Sequence, residues 1–128
     1  MITEHPAPAG ENEEVARVRE YYRLVDACDV PGLVGLFAEE AVYHRPGYPP
    51  IEGHAGLESF YLGERVIECG RHTLDTVVAD GRKVAVTGAF EGDLKDGRHV
   101  TLKFADVFVL DTDRRFVRRD TYFHTPLV

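Results

Sequence analysis

Apolar residues recur at three- and four-residue steps near the start of the chain. Between about Glu11 and Cys28 they fall at Val15, Val18, Tyr22 and Val25, with charges between them. Tyr21, Leu24 and Cys28 widen that stripe. This spacing predicts an amphipathic helix. Pro31 suits the first turn of a second, short helix running to Ala38, with Leu33, Leu36 and Phe37 inward. Ala41 to Arg45 reads as a short strand, and Pro46, Gly47, Pro49, Pro50 and Gly53 break it into a loop. A third helix is expected over Ala55 to Ile67, with Leu57, Phe60, Tyr61 and Val66 inward.

From Arg71 onward the period is that of strands. Runs at Arg71–Ala79, Lys83–Leu94, Arg98–Leu110 and Arg115–His124 are separated by Asp80-Gly81, Asp96-Gly97 and the polar run Asp111 to Arg114. Helices first, then a meander of strands, predict an α+β domain. Alternate positions Val100, Leu102, Phe104, Asp106, Phe108 and Leu110 share one face, and Asp106 alone among them is polar. A carboxyl group there has two states open to it. It can stay protonated and donate a hydrogen bond, the kind of donor that stabilises a developing oxyanion. Or it is a structural carboxylate, satisfied by backbone or by an arginine.

The length of 128 residues fits one domain, expected over residues 11–128. Residues 1–10, with Pro6, Pro8 and Gly10, read as a flexible tail and lack the pattern of a signal peptide. The net charge of −7 argues against nucleic-acid binding and against an anionic membrane surface. No apolar run is long enough to span a bilayer. Cys28 and Cys69, outside any CxxC, read as reduced structural cysteines of a cytoplasmic protein. The sequence has no HExxH, no Gly-rich nucleotide loop and no GxSxG, so neither a metal nor a cofactor is expected.

Three stretches carry a family resemblance. They are Tyr21-Tyr22-Arg23-Leu24-Val25-Asp26-Ala27-Cys28-Asp29, then Leu36-Phe37-Ala38-Glu39-Glu40-Ala41, then Pro49-Pro50-Ile51-Glu52-Gly53-His54 with Phe60-Tyr61. Here the chain resembles the ketosteroid isomerase family. That family belongs to a superfamily with nuclear transport factor 2, the SnoaL-like polyketide cyclases and limonene epoxide hydrolase. The resemblance implies a cone-shaped NTF2-like fold, a curved sheet with three N-terminal helices on its concave face. It also implies an oxyanion hole from Tyr21 and Asp106, supported by Tyr61, with Phe37 where some members have a further tyrosine. The family's general base is an aspartate before a proline, and this chain has Arg45 before Pro46. An arginine stays protonated and cannot serve as that base. The hydrolase's Arg and Asp fall at Thr87 and Ala89, and its last aspartate at Thr121. A one-residue shift puts Asp120 there instead, and both registers stay open.

The expectation is therefore a small-molecule isomerase, cyclase or dehydratase that enolises an apolar carbonyl compound in a buried pocket, without a cofactor. Tyr21 and Asp106 polarise the carbonyl, Arg45 anchors an anion, and Glu91 is the leading base, ahead of His44, His72, Asp120 and His124. By resemblance Glu91 shares the pocket face of its strand with Thr87 and Ala89. Tyr43, Phe37, Tyr61, Thr87, Phe104, Arg119, Thr121 and Phe123 complete the expected pocket. If Arg45 and Tyr43 face inward, His44 faces out. His72, on a face with Leu74, Thr76 and Val78, reads as satisfied core. On this view Asp106→Leu abolishes turnover and leaves the fold intact. The alternatives are a non-catalytic binding or scaffold module, with Asp106 paired to Arg45, and an epoxide hydrolase with a non-standard triad. A homodimer is expected on either view, through an outer face bearing Val84, Val86 and Phe90.

Overall fold

A computed structural model describes residues 12–65 and 67–124, with the backbone alone at Glu64, Glu68 and Cys69. The expected tail and Val66 lie outside the described residues. Helix α1 spans Glu13–Asp26. Asn12 caps it, its Oδ1 accepting from Val15 N–H at 2.8 Å, and Glu13 and Glu14 sit where the helix dipole favours acids. Helix α2 is only Val30–Val34, capped by Asp29, whose Oδ1 accepts from Gly32 N–H at 2.9 Å. Phe37 and Ala38, expected in that helix, open strand β1, Phe37–His44. A short apolar run fits either element, and pairing of β1 with the last strand decides it here.

After the short β2, Ile51–Glu52, comes α3, Gly53–Ser59, continued by a π-helical turn, Phe60–Glu64. The third helix therefore stops short of Ile67, which begins β3, Ile67–Asp80. Then follow β4, Lys83–Leu94, β5, His99–Leu110, and β6, Phe116–Phe123. The six strands form one curved sheet in the order β2-β1-β6-β5-β4-β3, with β1 and β6 parallel and the other pairs antiparallel. This is the expected cone-shaped α+β fold. Tyr21, Phe37, Phe108 and Phe116 pack edge-on or tilted between α1 and the sheet, burying large apolar area.

The inward face of β5 is the one read from its alternation. Val100, Leu102, Phe104, Asp106, Phe108 and Leu110 are all buried. The face of β4 is the reverse of the expected one. Val86 lies opposite Asp106 and Phe90 opposite Leu102, so Val84, Val86 and Phe90 fill the core. They form no outer patch. Thr87 and Glu91 point away from the core and are exposed, with Ala89 half-buried on their face. On β3 a bulge between Leu74 and Thr76 shifts the phase, turning Val77 toward the core and leaving Val78 exposed. Cys28 is exposed rather than structural. Among the described residues no helix is long and apolar enough to cross a membrane.

Candidate active site

Helix α1, strands β1, β3, β4, β5 and β6 and the turn after α3 line a partly open cavity. Tyr21, Tyr43, Arg45, Tyr61, Phe104 and Asp106 line it, with Arg119, Thr121 and Phe123 from β6. Arg65, Ile67, His72, Phe90 and Leu102 complete the wall. Water-sized molecules find only ≈ 20 Å³ of space among these side chains, room for about one water. Three expected pocket residues lie elsewhere. Phe37 is core, packed on Tyr21 and Phe116. Thr87 is on the opposite face of the sheet. Glu91 is largely exposed and pairs with His99 at 3.1 Å, so it is not placed to act as base.

Asp106 is wholly buried and acts as an acceptor. Arg119 Nη2 donates to its Oδ2 at 2.9 Å, and the hydroxyls of Tyr22 and Thr121 reach its two oxygens at short range. Three donors, one of them a cation, hold a carboxylate. The expected roles of Asp106 as a donor and as the partner of Arg45 both give way to this pairing with Arg119. Arg119 was expected only as a wall residue. Because β6 alternates, Thr121 is inward and Asp120 outward, where Asp120 pairs with His44 at 2.8 Å and Arg118 at 3.0 Å. The hydrolase-like register through Asp120 is thereby closed.

Arg119 Nη1 also donates to Tyr21 Oη at 2.6 Å and to Tyr61 Oη at 3.1 Å. The two phenols are in short hydrogen-bond contact with each other. Two hydroxyl protons serve one bond between them, so one O–H is left over to donate. Burial drives the Tyr21 and Tyr61 phenols above their ordinary value, against the pull of Arg119. Burial also raises Tyr43, but Arg119 and Arg45 outweigh it, and this phenol ends below its ordinary value. Arg45 Nη1 donates to Tyr43 Oη at 3.2 Å, and Arg119 lies 4.4 Å from the Tyr43 ring centre.

The opposite wall carries a pair the sequence reading passed over. His72, buried on β3, places Nδ1 2.6 Å from Asp26 Oδ1, and its backbone N–H donates to Asp26 Oδ2 at 2.9 Å. Asp26 comes from the end of α1, one turn after Tyr22, and nothing local links it to a strand 46 residues on. Its membership of the Val15–Val18–Tyr22 stripe was the available signal. The carboxylate fixes the proton on Nδ1 and leaves Nε2 as the lone-pair nitrogen. Burial lowers the His72 imidazole below its ordinary value, and the opposing pull of Asp26 does not restore it. Among the described residues, no group of three or more His, Cys, Asp or Glu side chains could hold a metal ion.

Solved structures share this architecture. An NTF2-like protein of unknown function from Burkholderia pseudomallei is similar at 23% identity and TM-score 0.79, with 88% of this chain and 92% of that one covered. The epoxide hydrolase/cyclase-like enzyme SalBIII, described in pyran ring formation in the polyether salinomycin, is similar at 24% identity and TM-score 0.78, with the same coverage of 88% and 92%. TerC, co-crystallised with polyporic acid, is similar at 20% identity and TM-score 0.75, again covering 88% and 92%. At these identities the likeness establishes the fold. No curated protein sequence matches the chain. Residues 18–119, most of the chain, match the SnoaL-like domain, and the protein belongs to that family.

Proposed function

We propose that this protein is a cofactor-independent enzyme of the isomerase, cyclase or dehydratase kind, acting on a small enolisable carbonyl compound. One observation carries the reading: His72, oriented by Asp26, lines the same cavity as the Tyr21–Tyr61–Arg119 cluster. That pairs a neutral base with hydroxyl donors backed by a cation. In the step proposed, a substrate C–H bond breaks and its proton goes to His72 Nε2. The electron pair moves to the carbonyl oxygen, which becomes an enolate and accepts the free O–H of the tyrosine pair. Tyr43, with its lowered phenol, is the group suited to return a proton to the enolate; its phenolate then takes a proton from solvent as the His72 imidazolium releases one, which restores both groups. Such placed donors and bases contribute about 10²–10⁴-fold each. SalBIII's epoxide hydrolase/cyclase-like description and the co-crystallisation of TerC with polyporic acid support reading this cavity as a site for an oxygen-bearing organic molecule.

The test needs no knowledge of the natural substrate. Small ketones such as 2-tetralone are incubated with the protein in D₂O, and α-proton exchange is followed by NMR. The wild type is expected to accelerate exchange over buffer, and His72→Gln to lose the acceleration. Asp26→Asn should lose most of it, because the imidazole is no longer oriented. Exchange at the buffer rate across a panel of ketones would remove the enzyme reading. A non-catalytic binding or scaffold module is the second reading, favoured by the small free volume of the cavity. The homodimer stays a proposal, now resting on the exposed Val78 and Tyr122 of the outer face, and sedimentation equilibrium tests it.

A further inference from the structure

Arg45 is all but buried, 7% exposed, and its Nη1 is used by Tyr43. Its Nε and Nη2 are buried and have no hydrogen-bond partner among the described residues. Those two nitrogens form one edge of the guanidinium. Their N–H bonds run parallel, in the fork that receives both oxygens of a carboxylate. The rings of Phe123, Phe60 and Tyr48 surround the group, their centres 5.0, 5.3 and 5.8 Å from its central carbon. Aromatic faces favour the charge but supply no acceptor in the plane of the fork. Asp106 is already committed to Arg119, Tyr22 and Thr121. A buried guanidinium with an empty edge destabilises the unliganded protein. A residue of that kind is kept where a ligand relieves it.

We propose that Arg45 is a carboxylate anchor. The carbonyl compound taken by this cavity carries a carboxylate, which Arg45 holds side-on through Nε and Nη2. The proposal rests on the reading of the cavity as a carbonyl site, and it narrows the substrate class to keto acids with an apolar body. A phosphate would bring two further oxygens, and the neighbouring Phe60 and Phe123 rings offer them no donor. Arg65, the other arginine on the wall outside the Asp106 cluster, is half-exposed and needs no such partner.

Calorimetric titration of the full chain at neutral pH distinguishes the outcomes. The ligands are 6-hydroxy-2-naphthoate, its matched amide and 2-naphthol, each on wild type, Arg45→Lys and Arg45→Gln. The wild type is expected to bind the carboxylate about tenfold more tightly than the amide. Arg45→Gln loses that preference, and Arg45→Lys, which keeps the charge without the fork, retains part of it. Equal affinity for carboxylate and amide, or a preference that survives in Arg45→Gln, overturns the anchor. If 2-naphthol still binds in that case, the carbonyl-site reading stands. If none of the three binds, both fall. Thermal unfolding without ligand gives a second measure. Arg45→Met is expected to raise Tm by a few degrees, and a fall would show Arg45 to be a structural residue and overturn the proposal.

Discussion

Replacing Asp106 with leucine removes the carboxylate that three donors share. Leucine suits the apolar face of β5, so from the sequence the change looks mild. The structure gives it another weight. Arg119, itself 4% exposed, loses its anionic partner at 2.9 Å, the Tyr22 hydroxyl loses its acceptor, and the Thr121 hydroxyl keeps only Tyr43 Oη at 3.2 Å among the described residues. Breaking one side of a buried ion pair costs about 3–5 kcal/mol. Urea denaturation should show the midpoint falling by roughly 2 M, with the slope unchanged. The compensating double variant, Asp106→Leu with Arg119→Met, removes both charges and should recover to within about 1–2 kcal/mol of wild type. A single variant less than about 1 kcal/mol below wild type would refute this reasoning. It would mean that the Asp106–Arg119 pair contributes little to holding the fold together.

His72 carries a pH signature. Burial holds its imidazole below the ordinary value, so the unfolded chain takes up that proton more readily than the folded one. Its contribution to stability is therefore complete above about pH 6.5 and is lost as pH falls through the lower folded value. Denaturation midpoints measured from pH 8 downward should decline less steeply in His72→Gln, and parallel profiles would contradict it. Tyr43→Phe deprives Arg45 Nη1 of its 3.2 Å acceptor and should cost about 1–3 kcal/mol in the same assay. No loss would mean that Arg45 finds another partner. Gly70→Ala places a methyl group 2.3 Å from the Phe90 ring and 2.6 Å from the Glu91 carbonyl oxygen. A loss of about 1–3 kcal/mol is expected, since Phe90 is buried against His72 and has little room to yield.

The fold was legible where one periodicity had no rival. The alternation on β5 fixes its inward set because five of its six positions are apolar. On β4 the residues themselves pointed the right way, with Val84, Val86 and Phe90 the apolar phase, but family positions assigned the opposite face. Burial follows the apolar phase, so Glu91 left the site with Thr87. The Asp106–Arg119 pair joins two neighbouring strands, and each residue was singled out as inward without being matched to the other. The His72–Asp26 pair is different in kind. It joins a strand to the end of a helix, and no spacing rule reaches across that distance. Backbone and side chain of His72 both bond to Asp26, which makes the pairing a product of how α1 lies on β3.

Two arginines share this cavity, and one substitution separates their roles. Arg119 is charge-balanced: Asp106 neutralises it and both its terminal nitrogens donate, with only its buried Nε lacking a partner among the described residues. Arg119→Met leaves Asp106 buried without a cation and should destabilise by about 3–5 kcal/mol. Arg45 has no balancing anion among the residues that contact it, and two of its nitrogens are idle. Arg45→Met exchanges an unpaired buried charge for an apolar side chain against Phe60 and Phe123, and should stabilise the unliganded protein by about 1 kcal/mol or more. The same chemical change is thus expected to have opposite signs at two residues of one wall. Thermal or urea unfolding of both variants, without ligand, reads the signs directly. Losses at both positions would make the two arginines equivalent structural groups and leave the cavity with no cation free for a substrate. A gain at Arg45 alone means that folding did not select this guanidinium, and a bound anion is the reason that remains for keeping it.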